Sequence, residues 1–168
     1  MSPKSKPDSA PPAGPSCEFR APARARAADR PSRTRLHRFH PDDYTFAGVR
    51  TDRYKADDGS WTGVLRRTLA GGGPLTSDPA AFELRYFEIA PGGHTTLERH
   101  EHVHVVVCVR GSGVARVKGR KYALAHLDTL YIPPQAVHQL VNPSDAEPFG
   151  FFCIVDAERD RPVPVDHA

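Results

Sequence analysis

The sequence predicts an all-β domain of the sandwich, jelly-roll or closed-barrel kind, and three observations carry that reading. Short segments rich in β-branched and aromatic residues recur between about residue 61 and residue 155. Clusters of Gly, Pro, Asn and Asp separate them at turn-like intervals. Hardly any stretch sustains the period of about 3.6 residues that a helix needs, and no internal repeat points to a propeller or solenoid.

Taken in order, the expected strands are Trp61–Leu69, Phe82–Ile89, Val103–Val109, Val114–Val117, Leu127–Ile132, Val137–Val141 and Phe149–Val155. The first runs into Gly71-Gly72-Gly73-Pro74 and the second into Pro91-Gly92-Gly93, both read as turns. Gly111-Ser112-Gly113 and Lys118-Gly119-Arg120 bracket the fourth strand, and Asn142-Pro143-Ser144-Asp145 closes the sixth. Trp61, Phe149, Phe151 and Phe152 are expected as core or cavity wall, whereas Asp128 and Asn142 read as turn residues. Three cysteines without a CxxC spacing give no disulfide framework and no thiolate metal site; Cys108 and Cys153, inside apolar segments, should be reduced and buried.

Charge divides the chain. Of its 168 residues, 23 are Lys or Arg and 20 are Asp or Glu, for a formal charge of +3. Residues 1–40 hold nine of the basic and three of the acidic groups, along with seven of the 17 prolines. That mixture cannot bury enough apolar surface to offset its ordering entropy, so 1–40 is expected to be a disordered basic extension. Its arginines, Arg24, Arg26, Arg30, Arg33, Arg35 and Arg38, are either a solvated feature or a contact for acidic partners or phosphate. The folded domain is placed at 41–160, with 161–168 as a C-terminal tail and Glu158-Arg159-Asp160-Arg161-Pro162 as a solvated segment pinned by ion pairs. Residues 41–168 are net acidic, so no nucleic acid is expected on the domain. There is no apolar run long enough for a membrane span and no secretion signal, which predicts a cytoplasmic protein.

Histidine makes the reading specific. Six of the nine histidines fall between residues 94 and 138, and three form His100-Glu101-His102-Val103-His104, ahead of an apolar strand. Imidazoles on the inner face of a barrel are costly to desolvate unless something binds them, and a metal ion is the usual solution. On a straight strand, residues two apart lie about 6.6 Å apart and residues four apart about 13 Å. For His100 and His104 to share one ion, the chain should therefore bend between them, which could turn His102 away.

These spacings resemble the cupin superfamily. Its first motif runs Gly, five residues, His-x-His, three or four residues, Glu, six residues, Gly; here Gly92, Glu98, His100, His104 and Gly111 occupy that frame without a gap. The usual first His is Glu98 and the usual Glu is His104. The second motif, Gly, five residues, Pro-x-Gly, two residues, His, three residues, Asn, is met by Pro133, His138 and Asn142, with Leu127 and Gln135 where glycines are typical and Asp128 after the first of them.

The resemblance implies a double-stranded β-helix barrel, a jelly roll holding one divalent transition metal: Fe, Mn, Ni, Cu or Zn. Carried over by position, the ligands are Glu98, His100, His104 and His138; the alternative is an all-His set of His100, His102, His104 and His138. Arg85, Tyr86 and Cys108 are candidates for the substrate pocket. Such a site implies a metal-dependent enzyme acting on a small polar molecule, with dioxygenase-like oxidative chemistry ahead of isomerase or lyase chemistry. A non-catalytic module that binds a small ligand or metal, or an accessory to nitrogen–nitrogen bond formation, is the alternative. A homodimer is expected by the same resemblance.

Overall fold

The structure is a computed structural model describing residues 34, 36–56, 58–71 and 80–165. Among the described residues thirteen strands follow one another: β1 (Phe39–His40), β2 (Thr45–Phe46), β3 (Asp52–Arg53), β4 (Thr62–Ala70), β5 (Phe82–His94), β6 (Glu98–Arg99), β7 (His104–Arg110), β8 (Gly113–Val117), β9 (Arg120–Leu124), β10 (Thr129–Ile132), β11 (His138–Val141), β12 (Phe149–Asp156) and β13 (Val163–Pro164). No helix of the described residues is long and apolar enough to cross a membrane. Every ladder is antiparallel.

Two curved layers result. One has the order β3-β4-β5-β12-β7-β10 and the other β9-β8-β11-β6-β13, and the far end of β5 joins them where His94 pairs with Val141. This is the nearly closed jelly-roll barrel that the sequence predicts. The expected turn at Pro91-Gly92-Gly93 is instead a bend inside β5: Gly92 takes φ +70° and lets one strand pass from the first layer to the second. β9 has an almost wholly exposed pattern, which is why hydrophobic periodicity does not reveal it.

Alternation along the strands fills the interior with Val64, Ile89, Val106, Cys108, Phe149 and Phe151. Phe149 is fully buried and lies flat over Gly113, where any Cβ would meet its ring at 2.3 Å. The two positions where glycine is typical keep the backbone that glycine favours. Leu127 has φ +68° and Gln135 φ +58°, a conformation that disfavours L side chains by roughly 1–2 kcal/mol. Gln135 puts it to use, because its N–H donates to the His100 carbonyl at 2.8 Å and its side chain donates to Glu101.

The ends of the chain differ from expectation. Residues 1–33 and 35, with Cys17 and five of the six arginines, lie outside the described residues, as do 72–79. Before residue 41, however, β1 pairs with β2; in that hairpin Tyr44 stacks on Tyr86 at 6.2 Å and Phe46 meets the same ring edge-on at 5.6 Å. Beyond residue 160, β13 pairs with β6, and the Val165 N–H donates to the Leu97 carbonyl. Both short ladders join segments far apart in sequence or only two residues long, which is too little for a local pattern to signal.

Candidate functional site

His104 opens β7 and His138 opens β11, while His100 follows β6. β6 pairs in one layer and β7 in the other, so the chain bends through Glu101–Val103 and draws His100 and His104 together. Their Nε2 atoms are 2.9 Å apart, and His138 stands across from both, with ring centroids 4.8 and 5.2 Å away. A ligand atom from each of the three lies within 4.8 Å of the others.

This arrangement fits a metal ion. Two imidazole nitrogens bound at right angles to one ion with bonds of roughly 2.0–2.1 Å would be about 2.9 Å apart. The Nδ1 atoms are occupied elsewhere: His100 Nδ1 bonds the His102 carbonyl and His138 Nδ1 the Ala136 carbonyl, both at 2.8 Å, and His104 Nδ1 lies 3.0 Å from Cys153 Sγ. The carbonyls hold the protons of His100 and His138 on Nδ1 and leave their Nε2 lone pairs for an ion, and His104 offers a third in the tautomer whose Nδ1–H faces Cys153. Burial depresses the pKa of all three histidines, His100 to about 4 and His104 to about 2; charge on neighbouring histidines adds to the effect, and at His138 so does Lys55. Each is thus neutral at pH 7, the form that binds a cation.

His104 and His138 of the trio line a cavity of about 170 Å³ whose wall also includes Arg66, Arg85, Phe87, Glu98, Val106 and Cys153. Drug-sized ligand pockets are typically about 300–1,000 Å³, so this one suits a small metabolite. Glu98 is buried in its wall, opposite His138 in the ladder, and its carboxylate accepts from Lys55. His102 also lines it; its ring stacks on His100 at 3.7 Å, and its Nδ1 donates to Asp160 at 2.8 Å. Two backbone N–H groups, of Glu101 and His102, converge on the same carboxylate and hold the Asp160 pKa far down. Neither Glu98 nor His102 belongs to the group formed by His100, His104 and His138.

Among the pocket candidates, Arg85 lines the cavity, with Glu83 bridging it to Arg159. Tyr86 faces the opposite side of β5, where its hydroxyl donates to Glu88 at 2.8 Å beneath the N-terminal hairpin. Cys108 lies one step too deep along β7, packed in the core with its thiol toward the Arg110 and Gly111 carbonyls. Cys153, the other buried thiol, reaches the cavity in its place, and burial pushes its pKa up to about 12.

Lys55, Arg66, Cys153, Arg159 and Asp160 are the residues that sequence reasoning does not assign to the site. Alternation could have found two of them, since Arg66 shares the inward parity of Val64 on β4 and Cys153 that of Phe151 on β12. Asp160 belongs to the segment expected to be solvated. It touches His102 across 58 residues of sequence, and nothing local announces that.

Comparison with known proteins gives a consistent result. The family model described as "Cupin domain" matches residues 85–155. A 1-methylthio-D-xylulose 5-phosphate methylsulfurylase of Rhodospirillum rubrum is 43% identical over 120 residues, covering 71% of this chain and 73% of its own. Among solved structures, a cupin-2 domain protein of Rhodospirillum rubrum is 38% identical with a TM-score of 0.65, covering 82% of this chain and 84% of that one. A cupin 2 conserved barrel protein of Rhodopseudomonas palustris is 34% identical with a TM-score of 0.67, covering 77% and 86%.

Proposed function

The chain belongs to the cupin family, and from that premise we propose that it is a metal-dependent enzyme acting on a small phosphorylated sugar that carries a methylthio group. The observation that carries the proposal is the convergence of three neutral histidines, two of them in the wall of a small cavity that cations also line. The substrate class comes from the Rhodospirillum rubrum methylsulfurylase.

His100, His104 and His138 would hold the ion, with Glu98 as fourth ligand once its carboxylate leaves Lys55, or His102 in its place. Moving a methylthio group from a carbon beside a carbonyl to a nucleophilic acceptor leaves an electron pair that spreads onto the carbonyl oxygen, and a bound divalent cation supplies stabilisation for that charge. The chain's own groups do the rest. Phe87, Val106, Leu140 and Phe151 keep the cavity wall apolar and exclude water. The Cys153 thiol fixes the orientation of His104, and Ala136 that of His138.

Dioxygenase-like chemistry would use the same ligands, as would an isomerase or lyase, and a binding module would use them without turnover. One experiment sorts these. Metal-reconstituted protein is mixed with 1-methylthio-D-xylulose 5-phosphate and dithiothreitol, whose thiolate is the nucleophilic acceptor, and C–S cleavage is followed by mass spectrometry beside an oxygen electrode, with a protein-free control. Loss of the methylthio group without oxygen uptake is expected. Oxygen consumption would favour oxidative chemistry, and an untouched compound would sink the proposal. A cytoplasmic homodimer joined along exposed sheet edges remains part of this reading; a monomeric mass in light scattering at micromolar concentration would remove the dimer.

A further inference from the structure

Four cationic side chains line the cavity: Lys55, Arg66, Arg85 and Arg159. Three of them already meet a carboxylate, Lys55 at Glu98 and the pair Arg85 and Arg159 at the shared Glu83. Arg66 differs. Its Nε is buried with no hydrogen-bond partner, and no ion pair or ring contact engages its guanidinium among the described residues. An N–H of a charged group shut away from water without an acceptor is unfavourable, and native structures seldom leave one without a reason.

The next residue sharpens the contrast. Arg67 points to the other face of β4, where its Nε donates to Thr51 Oγ1 at 2.9 Å and its guanidinium lies 5.7 Å from the Tyr86 ring. Its Nη1 is also unpaired, but it lies off the cavity and can serve no ligand there. Arg85 Nη2 also lacks a hydrogen-bond partner, yet it lies against the Glu83 carboxylate; among the described residues of the cavity wall, Arg66 is the cation that no carboxylate meets. Local charge points the same way. Glu83 answers two arginines at once, and Asp160 is taken up by His102 and two backbone N–H groups, so the wall keeps an excess of positive charge.

We propose that Arg66 is the anchor for the phosphate of the substrate, its planar N–H donors gripping two phosphate oxygens, with Arg85 and Arg159 as a secondary charge. The chemistry matches, because guanidinium is the side chain best shaped for bidentate contact with phosphate. This inference rests on the substrate class proposed above, and it supplies an acceptor for the buried Nε–H of a half-buried arginine.

Titration calorimetry with the full chain tests it. Inorganic phosphate and D-xylulose 5-phosphate are the probes and D-xylulose the uncharged control, added to wild type, Arg66→Gln, Arg66→Lys, Arg159→Gln and the outer-surface variant Lys121→Gln. Wild type should bind both phosphates and not D-xylulose. Arg66→Gln should weaken binding about tenfold or more, the loss expected for a charge-assisted hydrogen bond, and by more than Arg159→Gln does. Arg66→Lys, which keeps the charge but not the fork, should fall between. Without phosphate, Arg66→Gln should melt at or above wild type, because it removes an unsatisfied group; a purely structural arginine would give the reverse. Unchanged phosphate affinity in Arg66→Gln, an equal loss in Lys121→Gln, or no phosphate binding by wild type would each overturn the assignment. Phosphate binding through Arg66 without turnover of the methylthio compound would instead remove the proposed reaction and leave the anion site standing.

Discussion

Along β5 the inward residues run Arg85, Phe87, Ile89; along β7 they run His104, Val106, Cys108; along β12, taken in the opposite direction, Cys153, Phe151, Phe149. Each row passes from a polar or reactive side chain at the cavity mouth to a packed apolar one at the floor, and the ladders hold the rows in register, with Arg85 opposite Cys153 and Ile89 opposite Phe149. The same strands supply both ends, so the difference in chemistry lies in side-chain identity. The floor stabilises the barrel by burying apolar surface. The mouth works against that: its neutral histidines, shared carboxylates and unanswered Arg66 are groups that water would solvate better. Stability and binding are thus separated by about two residues along each strand.

Removing the floor should produce the largest effect. Phe149 is fully buried over Gly113, where nothing else can fill its volume, so Phe149→Ala should lower stability by about 3–5 kcal/mol. Urea unfolding measures this. Metal content per folded molecule should stay unchanged, and a variant that folded normally but lost metal would erase the distinction between floor and mouth.

The mouth should reveal itself through pH. His100 and His104 titrate in the folded metal-free protein at about 4 and about 2, and His138 is lowered as well, whereas an unfolded histidine titrates near 6.5. Below pH 6.5 the unfolded chain therefore binds protons that the folded chain refuses, so stability is full above that value and falls as pH drops toward 4. Between pH 7 and pH 5 the loss should reach about 2–4 kcal/mol. Substituting all three histidines by glutamine should flatten the profile; a slope that survived would place the titrating groups elsewhere.

Lys55 tests the exchange at Glu98. Breaking a buried pair by removing one partner costs about 3–5 kcal/mol, but Lys55 is 30% exposed, so about 2 kcal/mol is the better expectation for Lys55→Met without metal. Metal should restore that loss, because the freed carboxylate gains a cation. If Lys55→Met binds metal no more tightly than wild type, Glu98 is not a ligand and His102 takes its place.

Much of this contrast was legible in the sequence. Period-2 patterning marks the strands that build the floor, and the resemblance to the cupin motifs from Gly92 to Gly111 and from Leu127 to Asn142 singles out His100, His104 and His138. What stayed hidden depends on pairing between remote segments. Lys55 and Asp160 come from irregular stretches 43 and 58 residues away from Glu98 and His102; contacts of that kind leave no periodic trace. The sequence offers Tyr86 beside Arg85 as a pocket residue, yet Arg85 and Phe87 flank it with the opposite parity, and the hairpin that covers it explains why a tyrosine is buried on the outer face.

The two buried cysteines give the smallest and most direct test of mouth against floor. Residue type and burial are alike, and parity alone makes Cys108 a pocket candidate because it points inward from the same strand as His104. Depth separates them. Cys108 ends among floor residues with its thiol toward backbone carbonyls, whereas Cys153 lies 3.0 Å from His104 Nδ1. A group that orients a ligand usually changes metal affinity about 10–100-fold when removed, and a thiol is a weak acceptor, so Cys153→Ala should fall near the tenfold end. Cys108→Ala should lower stability by about 1 kcal/mol through lost packing and leave metal affinity where it was. Metal titrations on the two variants decide the matter: equal affinities would mean that the thiol beside His104 is only packing, and that the polar mouth begins at the histidines themselves.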